Sequence, residues 1–125
     1  MSVFEIIDLL LDRLEMPYYE GQPEFERSPP EAFISYNVYD VPSLRGDGRE
    51  RTTAFFLTLN IYTTGQNRKT RAVDADKALT ALFTENGFTR RGGSFGLTDD
   101  FPRYYHRVIE FNFDDEGEYY NGNQN

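Results

Sequence analysis

Few side chains in this chain combine type and spacing in a way that could do chemistry. His106 is the sole histidine. A nucleophilic triad or a histidine metal site needs partners that one imidazole cannot supply alone, so His106 reads as a structural or interface residue. The chain has no cysteine, which excludes a disulfide framework and a thiolate zinc site and fits a reducing compartment. Carboxylates cluster at Asp99–Asp100 and at Asp114, Asp115, Glu116 and Glu118. A calcium loop needs Asp or Asn at alternate positions, a glycine and a closing glutamate. Neither cluster has that layout, and both read as solvated charge. The run Arg90–Gly96 (RRGGSFG) resembles a phosphate cradle, but cradles open onto a helix N-terminus. With strands expected on both sides, a glycine-relaxed hairpin turn is the better reading. Arg45, Gly46 and Asp47 spell an integrin-type tripeptide at the tip of a polar loop, with no secretory leader or disulfides to support that role. No catalytic, cofactor or metal site is expected.

Charged residues offer candidates for contacts instead. Asp8, Asp12 and Glu15 form an acidic line on the outer side of the first helix, at spacings of four and three. Like charges so placed cost about 0.2–0.5 kcal/mol per pair, and acids sit badly at a helix C-terminus. A complementary basic partner would explain them, and Arg68, Lys69 and Arg71 are such a cluster. Arg45, Arg49 and Arg51 lie on the loop after the first strand, which is long and charged enough to reach a neighbour.

The elements that position these residues follow from periodicity. Ser2 and Glu5 have capping-box spacing. Val3, Ile6, Ile7, Leu10, Leu11 and Leu14 then mark one helical stripe, ended near Glu15 or Met16 by Pro17. Residues 17–32, with four prolines, form an extended connector whose Tyr18, Tyr19 and Phe25 pack down. Phe33–Asp40 is a strand, Pro42–Arg51 a polar loop, and Thr52–Thr64 the longest strand, with Phe55, Leu57, Leu59 and Ile61 inward. A second helix, capped by Asn67 or Thr70, runs to about Asn86 with the stripe Ala75, Ala78, Leu79, Leu82 and Phe83. Asp74 and Asp76 suit the positive end of its dipole, and Gly87 is its stop. Two more strands and a polar tail, Asp114–Asn125, follow.

The expected fold is α+β, in the order α-β-β-α-β-β. One domain spans 1–113, with two helices on one face of an antiparallel four-stranded sheet. In the last strand Tyr105, Ile109, Phe111 and Phe113 share one side with Arg107. Tyr104, His106, Val108, Glu110 and Asn112 share the other. A free outer face is usually more polar. This one gathers Phe33, Tyr39, Phe56, Tyr62, Tyr104 and Val108, more apolar area than a monomer normally leaves open. Self-association through this face is therefore expected, with folding back of the connector and tail as the alternative. Tyr119 and Tyr120 would anchor the tail on a neighbour.

Composition agrees. The chain has 125 residues, 16% aromatics (11 Phe, 9 Tyr, no Trp) and a net charge of −8. That suits one well-cored domain and disfavours nucleic acid as the main partner. No apolar run is long enough for a membrane span.

The order of the parts over residues 3–113 resembles the tail terminator (tail completion) proteins of long-tailed bacteriophages and prophages. The likeness rests on the amphipathic opening helix, then PYYEGQPEFE leading into FISYNVYD. It continues through the arginine-bearing loop before RTTAFFLTLNIYTTG, the helix ending ENGFTRRG, and the closing YYHRVIEFNF. The proline-rich connector and the acidic tyrosine-bearing tail depart from it and leave a sister role at the head–tail neck open. The resemblance implies a virion protein of the tail–neck region, assembled in the host cytoplasm. It would form a homo-oligomeric ring, usually a hexamer, that caps the tail-tube protein, ends polymerisation and meets a head-completion or neck protein. Genome DNA would pass through its channel without specific binding. No cofactor and no catalytic residue are implied. Two rival classes are a small α+β ligand-binding domain or enzyme, which needs convergent polar groups in a pocket, and a nucleic-acid binder using Arg68, Lys69, Arg71, Arg90 and Arg91.

Overall fold

A computed structural model of the chain describes residues 2–45, 50–97 and 103–115. Its elements are α1 (Val3–Asp12), β1 (Tyr18–Glu20), β2 (Ala32–Arg45), β3 (Glu50–Thr64), α2 (Arg68–Thr84), β4 (Thr89–Arg90), β5 (Phe95–Leu97) and β6 (Tyr104–Asp115). The fold is α+β, as periodicity implied.

The sheet differs in detail from four antiparallel strands. Its order is β1-β2-β3-β6-β4, with β5 also on β6. The β2–β3–β6 ladder is antiparallel, but β1 joins β2 in parallel, Tyr18 facing Ile34, so the sheet is mixed. Three residues of the connector thus form an edge strand, held by Ile34 N–H donating to Pro17 O (2.9 Å) and Gly21 N–H donating to Tyr36 O (2.7 Å). The glycine-rich run is not a hairpin turn either. Thr89 faces Asn112 and Phe95 faces Val108 on the same partner strand. β4 and β5 are therefore one edge strand interrupted by a bulge that accommodates two extra residues. Gly92, at φ +68°, lies in that bulge.

Both helices lie on one face. The Ser2 hydroxyl accepts from Glu5 N–H (3.2 Å) and the Glu5 carboxylate from Ser2 N–H (2.8 Å), so the capping box forms. α1 stops at Asp12, short of Glu15. Its last turn tightens through Leu14 N–H to Leu11 O and Glu15 N–H to Asp12 O, and Glu15 turns left-handed at φ 57°. α2 ends in a Schellman motif: Phe88 N–H donates to Phe83 O and Gly87 N–H to Thr84 O. Gly87 sits at φ +96°, and a Cβ there would lie 3.0 Å from Phe113, so glycine is needed twice over.

The core joins Val3, Ile7, Leu10 and Leu11 of α1 to Leu79 and Phe83 of α2. Beneath both lie Ile34, Leu57, Leu59, Ile61, Ile109 and Phe111 of the sheet. Ala78, placed on the α2 stripe from sequence, is exposed, and Ala72 takes its place. β2 and β3 extend to Arg45 and Glu50, shortening the expected loop to residues 46–49, which lie outside the described residues. Leu79 and Leu57 are 0% and 1% exposed. Leu79→Ala or Leu57→Ala is expected to cost about 2–5 kcal/mol, the usual range for a cavity left by leucine, read from denaturant melts. An unchanged midpoint for Leu79→Ala would mean that α2 is not docked on β3 and β6.

Candidate functional site

The outer face of the sheet, opposite the helices, divides into a closed half and an open half. In the closed half, register pairs Phe33 with Tyr62 and Tyr62 with His106, and the rings stack at 4.7 and 4.3 Å. The connector covers them: Tyr19 and Phe25 each meet Phe33 edge-on, and the Tyr104 hydroxyl donates to Pro29 O (3.1 Å) and Pro30 O (2.7 Å). Tyr62 is 2% exposed and His106 5%. Tyr62 and Tyr104, candidate interface residues by sequence, therefore serve the chain's own packing, because the connector folds back over them. His106 Nε2–H donates to Asn60 Oδ1 (2.7 Å), the tautomer required when the Asn60 amide donates to Ser35 O.

The open half lies towards the β2–β3 hairpin. Tyr39 stacks on Phe56 at 5.2 Å, and the Arg91 guanidinium lies 5.0 Å above the Phe56 ring. Tyr39 is 58% exposed and Val41 45%. The edge of β2 is also open here. Thr64 N–H bonds Glu31 O across to β3, whereas Ile34 N–H and Tyr36 O point the other way. Backbone groups alternate sides along a strand, so those of Val38 and Asp40 face outward past the end of β1. Among the described residues no strand pairs with them. Pro42, next in that alternation, has no N–H to offer.

The acidic line on α1 has partners of another kind than expected. Asp8 Oδ1 accepts from the Tyr36 hydroxyl (3.0 Å) and Asp12 Oδ1 from the Tyr18 hydroxyl (2.7 Å). Both carboxylates thus fasten α1 to the β1–β2 edge. The hydrogen bond to Asp12 is the main cause that lifts the Tyr18 hydroxyl to about 12, with burial adding to it. Burial, then the bond to Asp8, raises Tyr36 as well.

The basic cluster sits at the start of α2, where cations oppose the helix dipole. Its guanidiniums turn back: Arg68 donates to Gly65 O (3.1 Å) and Arg71 to Thr64 O (3.3 Å), while the Asn67 N-cap makes no side-chain bond. Lys69 is exposed beside them. These residues are not brought to Asp8 or Asp12. Arg45 and Arg51 lie on the paired ends of β2 and β3, opposite Glu50 and Leu44, and their side chains lie outside the description. Arg49, Asp47, Asp99, Asp100, Tyr119 and Tyr120 lie outside the described residues.

One constellation escaped the sequence reading. Asp76, assigned there to the helix dipole, is 6% exposed. Its carboxylate accepts from Arg90 (3.0 Å), Arg107 (2.7 Å) and Thr80 (3.0 Å), and also from the Ser94 hydroxyl, which in turn accepts from Arg90. Burial pushes the carboxyl up, but the bonds from Ser94, Arg107 and Thr80 outweigh it and hold the group below the usual carboxylate range. The bulge between β4 and β5 brings Ser94 into this cluster. A usable signal existed: Asp76 and Arg107 are each the single charge on an otherwise apolar face. Beside the cluster runs a shallow groove of about 400 Å³ lined by Val73, Lys77, Thr80, Ala81 and both arginines. Among the described residues, no three His, Asp or Glu side chains could share a metal ion, and no helix is long and apolar enough to cross a membrane.

Compared with known proteins, the chain matches no family model, and no curated protein matches it at a significant level.

Two titrations check this electrostatic reading. Asp76 has a lowered folded pKa, so its stabilisation is present above the unfolded value near 3.9 and lost as pH falls through the folded one. Asp76→Ala should cost about 3 kcal/mol at neutral pH by leaving two arginines unpaired and should flatten the acid limb of the stability–pH curve. An unaltered acid limb would refute the assignment. At the alkaline end the raised Tyr18 hydroxyl contributes below the unfolded value near 10, and that contribution is lost as pH rises through about 12. Asp12→Asn should move one tyrosine transition towards 10 in a spectrophotometric titration; an identical curve would show that the bond does not form.

Proposed function

We propose that this chain is a structural assembly subunit that forms a homo-oligomeric ring, of the kind that terminates a phage tail and joins it to the head. The observation that carries the reading is the open half of the outer sheet face, where Tyr39 and Val41 are 58% and 45% exposed beside an edge of β2 with which no strand pairs among the described residues. Natural proteins usually blunt or cover an apolar edge strand, and this fold does so over one half of the sheet with its own connector. Leaving the other half bare fits a surface that another subunit covers. The net charge of −8 fits a ring whose channel lets DNA slide without adhesion. The resemblance of the sequence's order of parts to tail terminators supplies the rest of the proposal: the ring would cap the last layer of tail-tube protein, stop its polymerisation and present a face to a head-completion or neck protein.

The test is the mass of the purified protein by light scattering across a concentration series, with negative-stain images. Ring-shaped oligomers are expected, and Tyr39→Ser combined with Val41→Ser should abolish them while leaving the melting temperature near that of the parent. A strictly monomeric protein at every concentration would overturn the assembly reading. Tail tubes polymerised with the protein present should be shorter and capped; a ring that binds a neck protein but leaves tube length unchanged would move the role from tail to neck.

A further inference from the structure

The two sides of the subunit carry opposite charge. On one side stand α1, β1 and β2 as far as Val41. These segments contain no lysine or arginine, but do contain Glu5, Asp8, Asp12, Glu20 and Asp40. The carboxylates of Asp8 and Asp12 sit at the β1–β2 edge, where Tyr36 and Tyr18 donate to them. Leu9, on the exposed side of the same helix, is 48% exposed. At the opposite margin stand the interrupted β4–β5 strand and the flank of α2. Here Lys77 is exposed, and Lys77, Arg90 and Arg107 border one groove whose single carboxylate is Asp76. Three cations face one anion there, in a chain that is strongly acidic overall. Arg90 also has a buried Nε without a hydrogen-bond partner, so the cluster as it stands does not satisfy all its donors.

We infer that the acid-bearing β2 edge of one copy docks head-to-tail against the Lys77–Arg90 margin of a second copy. This rests on the self-assembly reading and names the surfaces it uses. Three observations select a second copy as the occupant. The charges are complementary and sit on opposite margins of one sheet, so the same contact can repeat from subunit to subunit. The strand directions agree: β2 is antiparallel to β3, β3 to β6, and β6 to β4. β4 therefore runs opposite to β2, and juxtaposed margins bring antiparallel edges together. The outward backbone groups of Val38 and Asp40 give the contact a short hydrogen-bonding window, with Tyr39 and Val41 beside it as apolar area. A contact between different patches is heterologous, which closes into a ring when the rotation per subunit permits. A two-fold contact of β2 on β2 would set Asp40 and Glu20 against their own copies and is disfavoured by like charge.

Charge reversal on each margin tests the pairing. Glu20→Lys with Asp40→Lys makes both margins basic, and Lys77→Glu with Thr89→Glu, an exposed residue of β4, makes both acidic. None of these four side chains belongs to the Asp76 ion cluster or to the core, and circular dichroism melts check that each variant folds. Each double variant alone should associate more than about tenfold more weakly than the parent by light scattering, since opposed like charges resist docking. An equimolar mixture should assemble again, because every basic β2 edge then meets an acidic margin. If the parent assembles while either variant alone assembles as well as the parent, the pairing is overturned and self-assembly stands. A folded mixture that stays dissociated also overturns it. A parent that never associates removes the assembly reading itself, and the pairing with it.

Discussion

Asp76 is the point at which the second helix, the interrupted edge strand and the last long strand are tied together. A helix docked on a sheet by apolar contacts can slide or rotate at small cost, because hydrophobic attraction is not directional. Ion pairs with a carboxylate are directional, and this one receives two arginines from two strands and two hydroxyls. Such a cluster is a weak source of net stability, since desolvation offsets much of the Coulomb attraction. Its effect is on geometry. Arg107 reaches Asp76 from the apolar side of β6, and Arg90 from β4. Together they fix the rotation of α2 that sends Leu79 and Phe83 into the core. The bulge between β4 and β5 belongs to the same constraint, because an unbroken strand pairing would not carry Ser94 to the carboxylate.

A second constraint sets what the sheet leaves uncovered. The connector is long enough to lay Tyr19 and Phe25 over Phe33 and to bring two proline carbonyls to Tyr104, yet it returns to the sheet at Ala32. Everything beyond that reach, from Asn37 to Val41, remains bare on its outer face. The division into halves is therefore a matter of chain length and of where β1 stops, and residue type follows it. The closed half stacks aromatics with histidine, whereas the open half pairs Tyr39 and Phe56 under a solvated arginine.

Much of this was legible in the sequence. The α1 stripe, the alternation of β3 and β6 and the stop at Gly87 are local periodicities, and each survives folding because one buried face enforces it. What was not legible depends on distant partners. Tyr18–Glu20 has no strand signature of its own; it is a strand because β2 offers a parallel edge. Asp8 and Asp12 looked like an unpaired acidic line because helix geometry shows only neighbours along the helix, and the tyrosines that bind them come from another element. Asp76 sits close enough to a helix start to suggest a dipole role, but its ion partners are 14 and 31 residues away in sequence. In that case the sequence did hold a clue: a lone acid on one apolar face and a lone base on another are each costly to bury unless they meet.

The length of the exposed edge bears on how the proposed assembly would stay finite. An edge strand with many open backbone groups can pair with any strand at many registers, which favours aggregation over a defined ring. Here β1 occupies the edge as far as Tyr36, and Pro42 removes the donor two positions beyond Asp40. Between those limits Val38 and Asp40 each offer a donor and an acceptor, and Pro42 adds an acceptor alone. A window that short contributes little binding on its own, so neither unrelated strands nor slipped registers gain enough to compete. The remaining selectivity falls to side chains flanking the window, and those are apolar at Tyr39 and Val41 and acidic at Asp40 and Glu20. In the proposed contact the backbone would set direction and charge would set which surface is admitted, a division of labour that would restrict the edge to partners carrying both features.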